Sequence, residues 1–442
     1  MNYTDRLKKV SVLGAAGKMG SGILLLTSME MADQMLQDRS LSLELWAIDL
    51  APEGLRGLMK YLRSQVLKAA EKKTVWLRKM YADRQDLVEN GEIIQAYVDE
   101  VLALVNTSTH ISDAWGSTLV FEAIKEDPAV KVPVLKEIAE KGGGNTWFFT
   151  NTSSIPIHRL DSEAGMSGSI IGFHFYNPPA VQKLVELIPC RNTKQELTDF
   201  ANQYAKNLRK VVVPSNDHAG FIGNGHFMRD ALFAIKKAEK LAETMSLQEA
   251  IWVVNRVSQD FLLRPMGIFQ LIDYVGIDVV VYIMQVMNPF LPDEDLHSPF
   301  LDKLLAKGIR GGQFSDGSQK DGFFKYEKGK PVAMVNPLTG TYDPVGPIND
   351  ATSGKIGELP LQLAWKEVNF SASKASQLSQ FYAALKGMTT WGAELAKEYG
   401  VTSRKIGELL VNSGVAHSAA DVNKVLETGF YHAYGPINEY FN

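Results

Sequence analysis

A single cysteine, Cys190, stands in 442 residues. It excludes an intramolecular disulfide and any Cys-rich zinc or iron–sulfur site, and it points to a reducing compartment. A cytoplasmic location is expected, with an organelle matrix as the variant. Neither sign of charge is in excess: 46 Lys+Arg against 50 Asp+Glu give a formal net charge of −4. No overall positive field exists to collect nucleic acid or an anionic membrane, so an anionic ligand must be met locally. Apolar runs long enough to cross a bilayer are missing, and the opening MNYTDRLKKVSVLG has no signal-peptide core, so no membrane insertion is expected. The histidines show no metal-ligand spacing, and no metal site is expected. Gly-x-Ser-x-Gly elbows and Walker loops are absent as well. What remains, 45% hydrophobic and 22% charged over a chain of this length, is a folded protein of two or three domains.

The first 213 residues alternate short β-branched or aromatic runs with helical periods, the pattern of a parallel sheet with crossover helices. Strands are predicted at 9–13, 43–48, 118–121, 147–150, 169–175, 184–188 and 211–213. A long helical insert, about 52–104, exceeds a plain crossover and predicts a projecting pair of helices. Its first part is basic, and Arg56, Lys60 and Arg63 share one helical face. A solvated face explains them; a site for a phosphorylated ligand is the sharper reading. Residues 214–330 read as a helical domain and 331–442 as a connector with an additional helical segment, the Gly/Pro-rich stretch GGQFSDGSQKDGFFKYEKGKPVAMVNPLTGTYDP between the helical runs containing a hairpin. Two echoes, DPVGPIND and AYGPINEY, are too brief to establish a repeat.

The opening strand runs into Gly14-Ala15-Ala16-Gly17-Lys18-Met19-Gly20 and then a helix. Glycines suit a sharp turn that brings backbone close to a pyrophosphate, which the helix N-terminus then meets with its N–H groups. The next strand ends at Asp49, where a carboxylate accepts from an adenosine ribose and repels a 2′-phosphate, so NAD is favoured over NADP. Small-residue packing is the competing account of the glycines. Further on, His174 ends one strand and Glu186 lies in the next. A hairpin centred on Ala180 makes them cross-strand partners, with the carboxylate fixing the imidazole tautomer and stabilising the imidazolium.

Several segments in order, VFEAIKEDPAVKVPVLKEI, FFTNTSSIPI, GFHFYNPPAVQKLVELI, HAGFIGN, RPMGIFQLIDYVGID and KDGFFKY, resemble the signatures of the L-3-hydroxyacyl-CoA dehydrogenase family. The resemblance runs from about residue 8 to 326. It implies an α/β Rossmann NAD-binding domain, an all-α dimerisation-type domain and, here, an appended helical C-terminal segment. It further implies interconversion of (3S)-3-hydroxyacyl-CoA and 3-oxoacyl-CoA with NAD as cofactor, an acyl-CoA substrate, and a homodimer. By the same resemblance His174 is the base and Glu186 its orienter, Ser153 and Asn224 contact the reacting group, Asn177 lies near the nicotinamide, and Glu126 and Lys131 contact the cofactor. An exposed helix-start charge pair is the bland account of Glu126 and Lys131. Gly14, Gly17, Lys18, Met19, Gly20 and Asp49 complete the expected cofactor site.

Four departures from the family pattern are visible. The glycine turn has one extra residue, Gly225 replaces an arginine after Asn224, Ser318 stands where a lysine is expected with Lys320 nearby, and the insert is longer than the family's arm. Two other functions fit less of the chain: hydride transfer on a hydroxy acid without CoA, as in gulonate-type relatives, and a non-catalytic NAD-binding protein.

Overall fold

The computed structural model describes residues 2–314 and 317–441, and the chain divides into two compact units, Met1–Asp217 and His218–Asn442. The first unit is built on one sheet. In chain order it comprises β1 (Lys9–Leu13), α1 (Lys18–Gln37), β2 (Glu44–Ile48), α2 (Pro52–Lys72), α3 (Thr74–Met80), α4 (Asn90–Ala103), β3 (Val105–Ser108) and β4 (Leu119–Glu122). There follow α5 (Pro128–Lys141), β5 (Trp147–Thr150), α6 (Ile157–Glu163), β6 (Ile170–Phe175), β7 (Leu184–Ile188), α7 (Gln195–Asn207) and β8 (Val211–Pro214). The sheet order is β3-β2-β1-β4-β5-β6-β7-β8, parallel throughout except for the antiparallel β6–β7 pair. Strands β4 to β7 are buried at every position, as expected of a sheet covered on both faces.

Alternation along the strands assigns each face. Phe121, Phe149 and Phe173 pack with Tyr204 of α7, and Phe149 and Phe173 stack with centroids 4.7 Å apart. His174, between Phe173 and Phe175, therefore points to the opposite face.

Two expectations need correcting. The insert does not simply project: it is three helices, and Leu58, Leu62, Val66, Tyr97 and Val101 of α2 and α4 belong to the same hydrophobic core as the sheet. Its basic face is partly neutralised, since Arg56 pairs with Glu53 and Arg63 with Asp99 at 3.2 Å. A further strand, β3, pairs in parallel with β2 at the sheet edge. Its sequence, VNTS, lacks an apolar period because three of its four residues are not buried.

The second unit is helical. It holds α8 (Phe221–Leu241), α9 (Leu247–Arg256), α10 (Ile268–Val275), α11 (Ile277–Met287) and α12 (Pro299–Ala306). A small antiparallel sheet of β9 (Phe324–Glu327), β10 (Lys330–Val335) and β11 (Tyr342–Pro344) takes the place of the expected hairpin. Then come α13 (Val345–Ile356), α14 (Trp365–Asn369), α15 (Lys374–Gly387), α16 (Trp391–Asn412) and α17 (Ala419–Gly429). Residues beyond 331 are not a separate layer: Phe381, Leu395, Tyr399 and Phe441 share one core with Met228, Val253 and Ile272. Among the described residues no single helix is long and apolar enough to cross a membrane.

One turn is built twice in this unit. Asn255 Oδ1 accepts from Phe269 N and Gln270 N, and a Cβ on Gly267 would fall 2.2 Å from that oxygen. Asn423 Oδ1 accepts from Ile437 N, and a Cβ on Gly435 would fall 2.3 Å from Asn423 Oδ1. Asparagine and glycine are equally spaced in both copies, and Leu263 and Tyr431 hold left-handed backbone at matching places. The true counterpart of HAYGPIN is thus RPMGIFQ. DPVGPIND instead forms β11 and opens α13.

Candidate active site

The sheet order β2-β1-β4-β5-β6 brings the carboxyl ends of five strands to one edge, the place where an open parallel sheet offers a ligand crevice. Asp49, Gly14, Glu122, Asn151 and His174 all stand at that edge, each at or just beyond its strand end.

At β1, Gly14 has φ +71°, and a Cβ there would fall 2.5 Å from Ala123 O; a Cβ on Gly20 would fall 2.0 Å from Gly14 O. Both glycines are demanded by the protein's own backbone. Gly17 is the N-cap of α1, in extended conformation, and no side chain caps the helix there, with Lys18 and Met19 opening its first turn. Asp49 binds the turn: Oδ2 accepts from Ala16 N at 2.9 Å and Oδ1 from Ala51 N at 3.2 Å. The long interval from Gly20 to Asp49 is taken up by the rest of α1, which runs to Gln37, the loop after it and β2.

At β4 and β5 a buried ion cluster shapes the next loop. Lys131 is 1% exposed, and its Nζ lies 2.6 Å from Glu122 Oε1 and 3.1 Å from Glu126 Oε2. Glu126 Oε1 in turn accepts from Thr152 Oγ1, Ser153 N and Ser154 N. Burial pushes the Glu126 carboxyl up, but Lys131 and these donors outweigh it and hold it below its ordinary value. Burial likewise pulls Lys131 down, and the two glutamates outweigh it, so its ammonium is held above its usual value. Lys131 is therefore not an exposed helix-start charge. It holds Glu126, which sets Ser153. Glu122, buried and accepting from Thr150 Oγ1 and Ile124 N, braces the strand end.

At β6, Asn151 Oδ1 accepts from Phe175 N and ties the ends of β5 and β6 together. His174 and Glu186 are register partners across the antiparallel β6–β7 pair, and His174 Nδ1 lies 3.2 Å from Glu186 Oε1. Glu186 is fully buried, whereas the His174 side chain keeps 10% of its surface. A carboxylate only accepts, so Nδ1 carries the proton and the lone pair of the neutral ring sits on Nε2. Asn177 follows, joined to Pro178 by a cis peptide bond.

Two residues here were not singled out from sequence. Tyr176 donates its hydroxyl to Glu186 Oε1 at 2.8 Å. Its place two residues beyond His174 is the signal that could have marked it. Lys210, before β8, donates to Pro179 O at 2.5 Å and Gln182 O at 2.6 Å, bracing the loop between His174 and Glu186; burial pulls its ammonium down to about 8. Nothing in the sequence signals that contact.

Model matching places residues 9–218 in the NAD binding domain of 3-hydroxyacyl-CoA dehydrogenase and 237–326 in the C-terminal domain of the same enzyme. A probable 3-hydroxybutyryl-CoA dehydrogenase of Deinococcus radiodurans is 31% identical over 241 residues, 54% of this chain and 82% of that protein. The chain belongs to the 3-hydroxyacyl-CoA dehydrogenase family. A probable 3-hydroxybutyryl-CoA dehydrogenase of Bacillus subtilis is 28% identical over 325 residues, covering 73% of this chain and 98% of that protein. The fold alone extends further: the crystal structure of 3-hydroxybutyryl-CoA dehydrogenase from Escherichia coli K12, 20% identical, superposes with a TM-score of 0.65 over 98% of this chain and 90% of that one. Members of this family are NAD-dependent oxidoreductases, and the edge described above lies within the NAD-binding match.

The second unit carries Asn224 in the first turn of α8. The family departure beside it has a local reason. A Cβ on Gly225 would lie 3.0 Å from a methyl of Leu410, so this glycine lets α16 pack closely on α8. At the connector, Lys320 N donates to Gly312 O and its Nζ lies 5.3 Å from the Phe314 ring centre. Among the described residues no group of His, Cys, Asp or Glu could hold a metal ion.

Proposed function

We propose that this protein interconverts (3S)-3-hydroxyacyl-CoA and 3-oxoacyl-CoA with NAD, using His174 as the proton acceptor. The observation that carries the reading is the His174–Glu186 pair, a buried carboxylate against a partly exposed imidazole at the sheet edge of an NAD-binding fold.

The residues present fit the cofactor. Gly17 adds no side chain at the uncapped start of α1, which leaves the helix N-terminus suited to a pyrophosphate. Asp49, already fixed by Ala16 N and Ala51 N, keeps further lone pairs for ribose hydroxyls. Gly14, Gly17, Lys18, Met19, Gly20 and Asp49 would form that side of the site, with Asn177 nearer the nicotinamide. Held by these residues, NAD would supply the acceptor for the hydride that leaves the hydroxyl-bearing carbon. His174 Nε2 takes the hydroxyl proton as the C–O bond becomes a carbonyl. Glu186 holds the ring orientation and stabilises the imidazolium so formed. By resemblance Ser153 and Asn224 contact the substrate; Glu126 fixes the backbone of Ser153. A homodimer and a cytoplasmic setting complete the reading, the latter resting on the single, buried Cys190.

The test is NADH oxidation with acetoacetyl-CoA, with free acetoacetate as the control lacking CoA. Turnover confined to the thioester is expected. Turnover of acetoacetate at the same rate would replace an acyl-CoA substrate with a simple oxo acid.

A further inference from the structure

Glu186 Oε1 has two donors on one strand edge. His174 Nδ1 lies 3.2 Å from it and the Tyr176 hydroxyl 2.8 Å, with the two rings 4.9 Å apart between centroids. We propose that Tyr176 is a positioning residue that sets the basicity of His174 by sharing the charge of Glu186 Oε1. This rests on the reading of His174 as the base.

The physical argument concerns one oxygen and its charge. A buried carboxylate beside an imidazole favours the imidazolium, because little water dilutes the attraction. That attraction favours the protonated ring, and a protonated ring cannot take the substrate proton. The shorter O–H···O bond from Tyr176 draws on the same oxygen and weakens its pull on His174. Tyr176 is able to do this at every working pH: burial, reinforced by Glu186, holds its phenol well above the ordinary value, so the hydroxyl stays a donor.

Of the other charges near β6, Lys210 lies 5.7 Å from the Phe175 ring centre and donates to Pro179 O and Gln182 O, and it is present alike in every variant compared below. Strand β5 carries no titratable residue, and Glu186 is the one on β7. On α6, His158 pairs with Asp217, Arg159 with Glu163, and Asp161 accepts from Gly168 N. Glu126 is held by Lys131. Helix α7 lies against the opposite face through Tyr204 and Phe173, and its Glu196, Asp199 and Lys206 belong to that side.

The experiment is the pH profile of kcat/KM for oxidation of (3S)-3-hydroxybutyryl-CoA by NAD, in wild type, Tyr176→Phe and His174→Gln. Tyr176→Phe keeps the ring and removes the donor. Its acid limb is expected to move up by about 0.5 to 1 pH unit, with NADH binding unchanged. A limb that stays in place or moves down overturns the proposal, since loss of packing alone would lower the rate without moving the limb. Should Tyr176→Phe not fold, Tyr176→Gln, which keeps a donor, against Tyr176→Met, which lacks one, gives the same comparison: a higher limb in the methionine variant is expected, and equal limbs overturn the proposal. His174→Gln separates the two claims, because retained turnover there removes the base itself, whereas its loss with an unmoved Tyr176→Phe limb removes the role of Tyr176 alone.

Discussion

Each unit buries a cluster of charged and polar side chains, and by burial alone the two look alike. In the first unit the cluster lies along the carboxyl edge of the sheet: Lys131 with Glu122 and Glu126, then His174 with Glu186 and Tyr176. In the second it lies among helices. Arg264 Nη1 meets Asp230 Oδ2 at 2.7 Å, Tyr399 donates to the same oxygen at 3.2 Å, and His226 Nε2 lies 3.2 Å from Ser403 Oγ. His432 is buried with them. The difference lies in what the groups are attached to. In the first unit each partner fixes a strand end or the loop after it, which are the segments that carry Ser153, His174 and Asn177. In the second each partner ties helix to helix, α8 to the RPMG turn and to α16, and the exposure left to the cluster is a few per cent. Buried charge at the sheet edge braces the segments that the proposed reaction uses, and buried charge in the helical core joins the elements packed there.

The contrast can be broken most directly at His174. His174→Gln is expected to cut turnover by about 10²- to 10⁴-fold or more while thermal stability and NADH binding stay near wild type. A large loss of stability in that variant would put His174 among the clamps. The reverse is expected of Arg264→Ala. Removing the guanidinium strands the buried Asp230 carboxylate, at a cost of about 3–5 kcal/mol in urea unfolding, and the folded fraction keeps its kcat. A variant of unchanged stability and lowered kcat would instead place Arg264 in the reaction.

A smaller effect sharpens the same comparison by pH. Burial pulls His226 down to about 4, from an ordinary value of 6.5, with Asp230 opposing it. Its folded-state value is depressed, so the unfolded chain binds the extra proton between pH 6.5 and 4. The stability it contributes is present above 6.5 and is lost as pH falls toward 4, by roughly 3 kcal/mol at most. Urea midpoints across that window should fall in wild type and fall less in His226→Gln. Equal slopes would show that His226 is not the group responsible.

Much of the first unit could be read along the chain, for reasons particular residues make plain. The strands at 147–150 and 184–188 are found at the predicted limits because WFFT and LVELI are apolar runs bounded by turn chemistry. The cross-strand geometry of His174 and Glu186 followed from equal spacing about Ala180. Strand β3 escaped notice because an edge strand with polar side chains has no period to detect. The burial of Lys131 is not legible in sequence, where a lysine near a helix start is ordinarily exposed; only the approach of Glu122 from β4 and Glu126 from the preceding loop makes it tolerable. The insert looked like an arm because its inner residues, Leu58, Leu62 and Val66, show a helical face without naming what covers it.

The sequence by itself determined the alternation of strands and helices, the glycine turn with Asp49 at the next strand end, the pairing of His174 with Glu186, and the family. All of these rest on spacing within one or two adjacent elements, which local geometry converts into position. Tertiary structure alone decided that Lys210 braces the loop after His174, that Gly225 makes room for Leu410, and that the turn at Gly267 returns at Gly435. Those contacts join residues far apart in the chain, and a contact between distant segments is set by how whole elements pack, which no local period encodes.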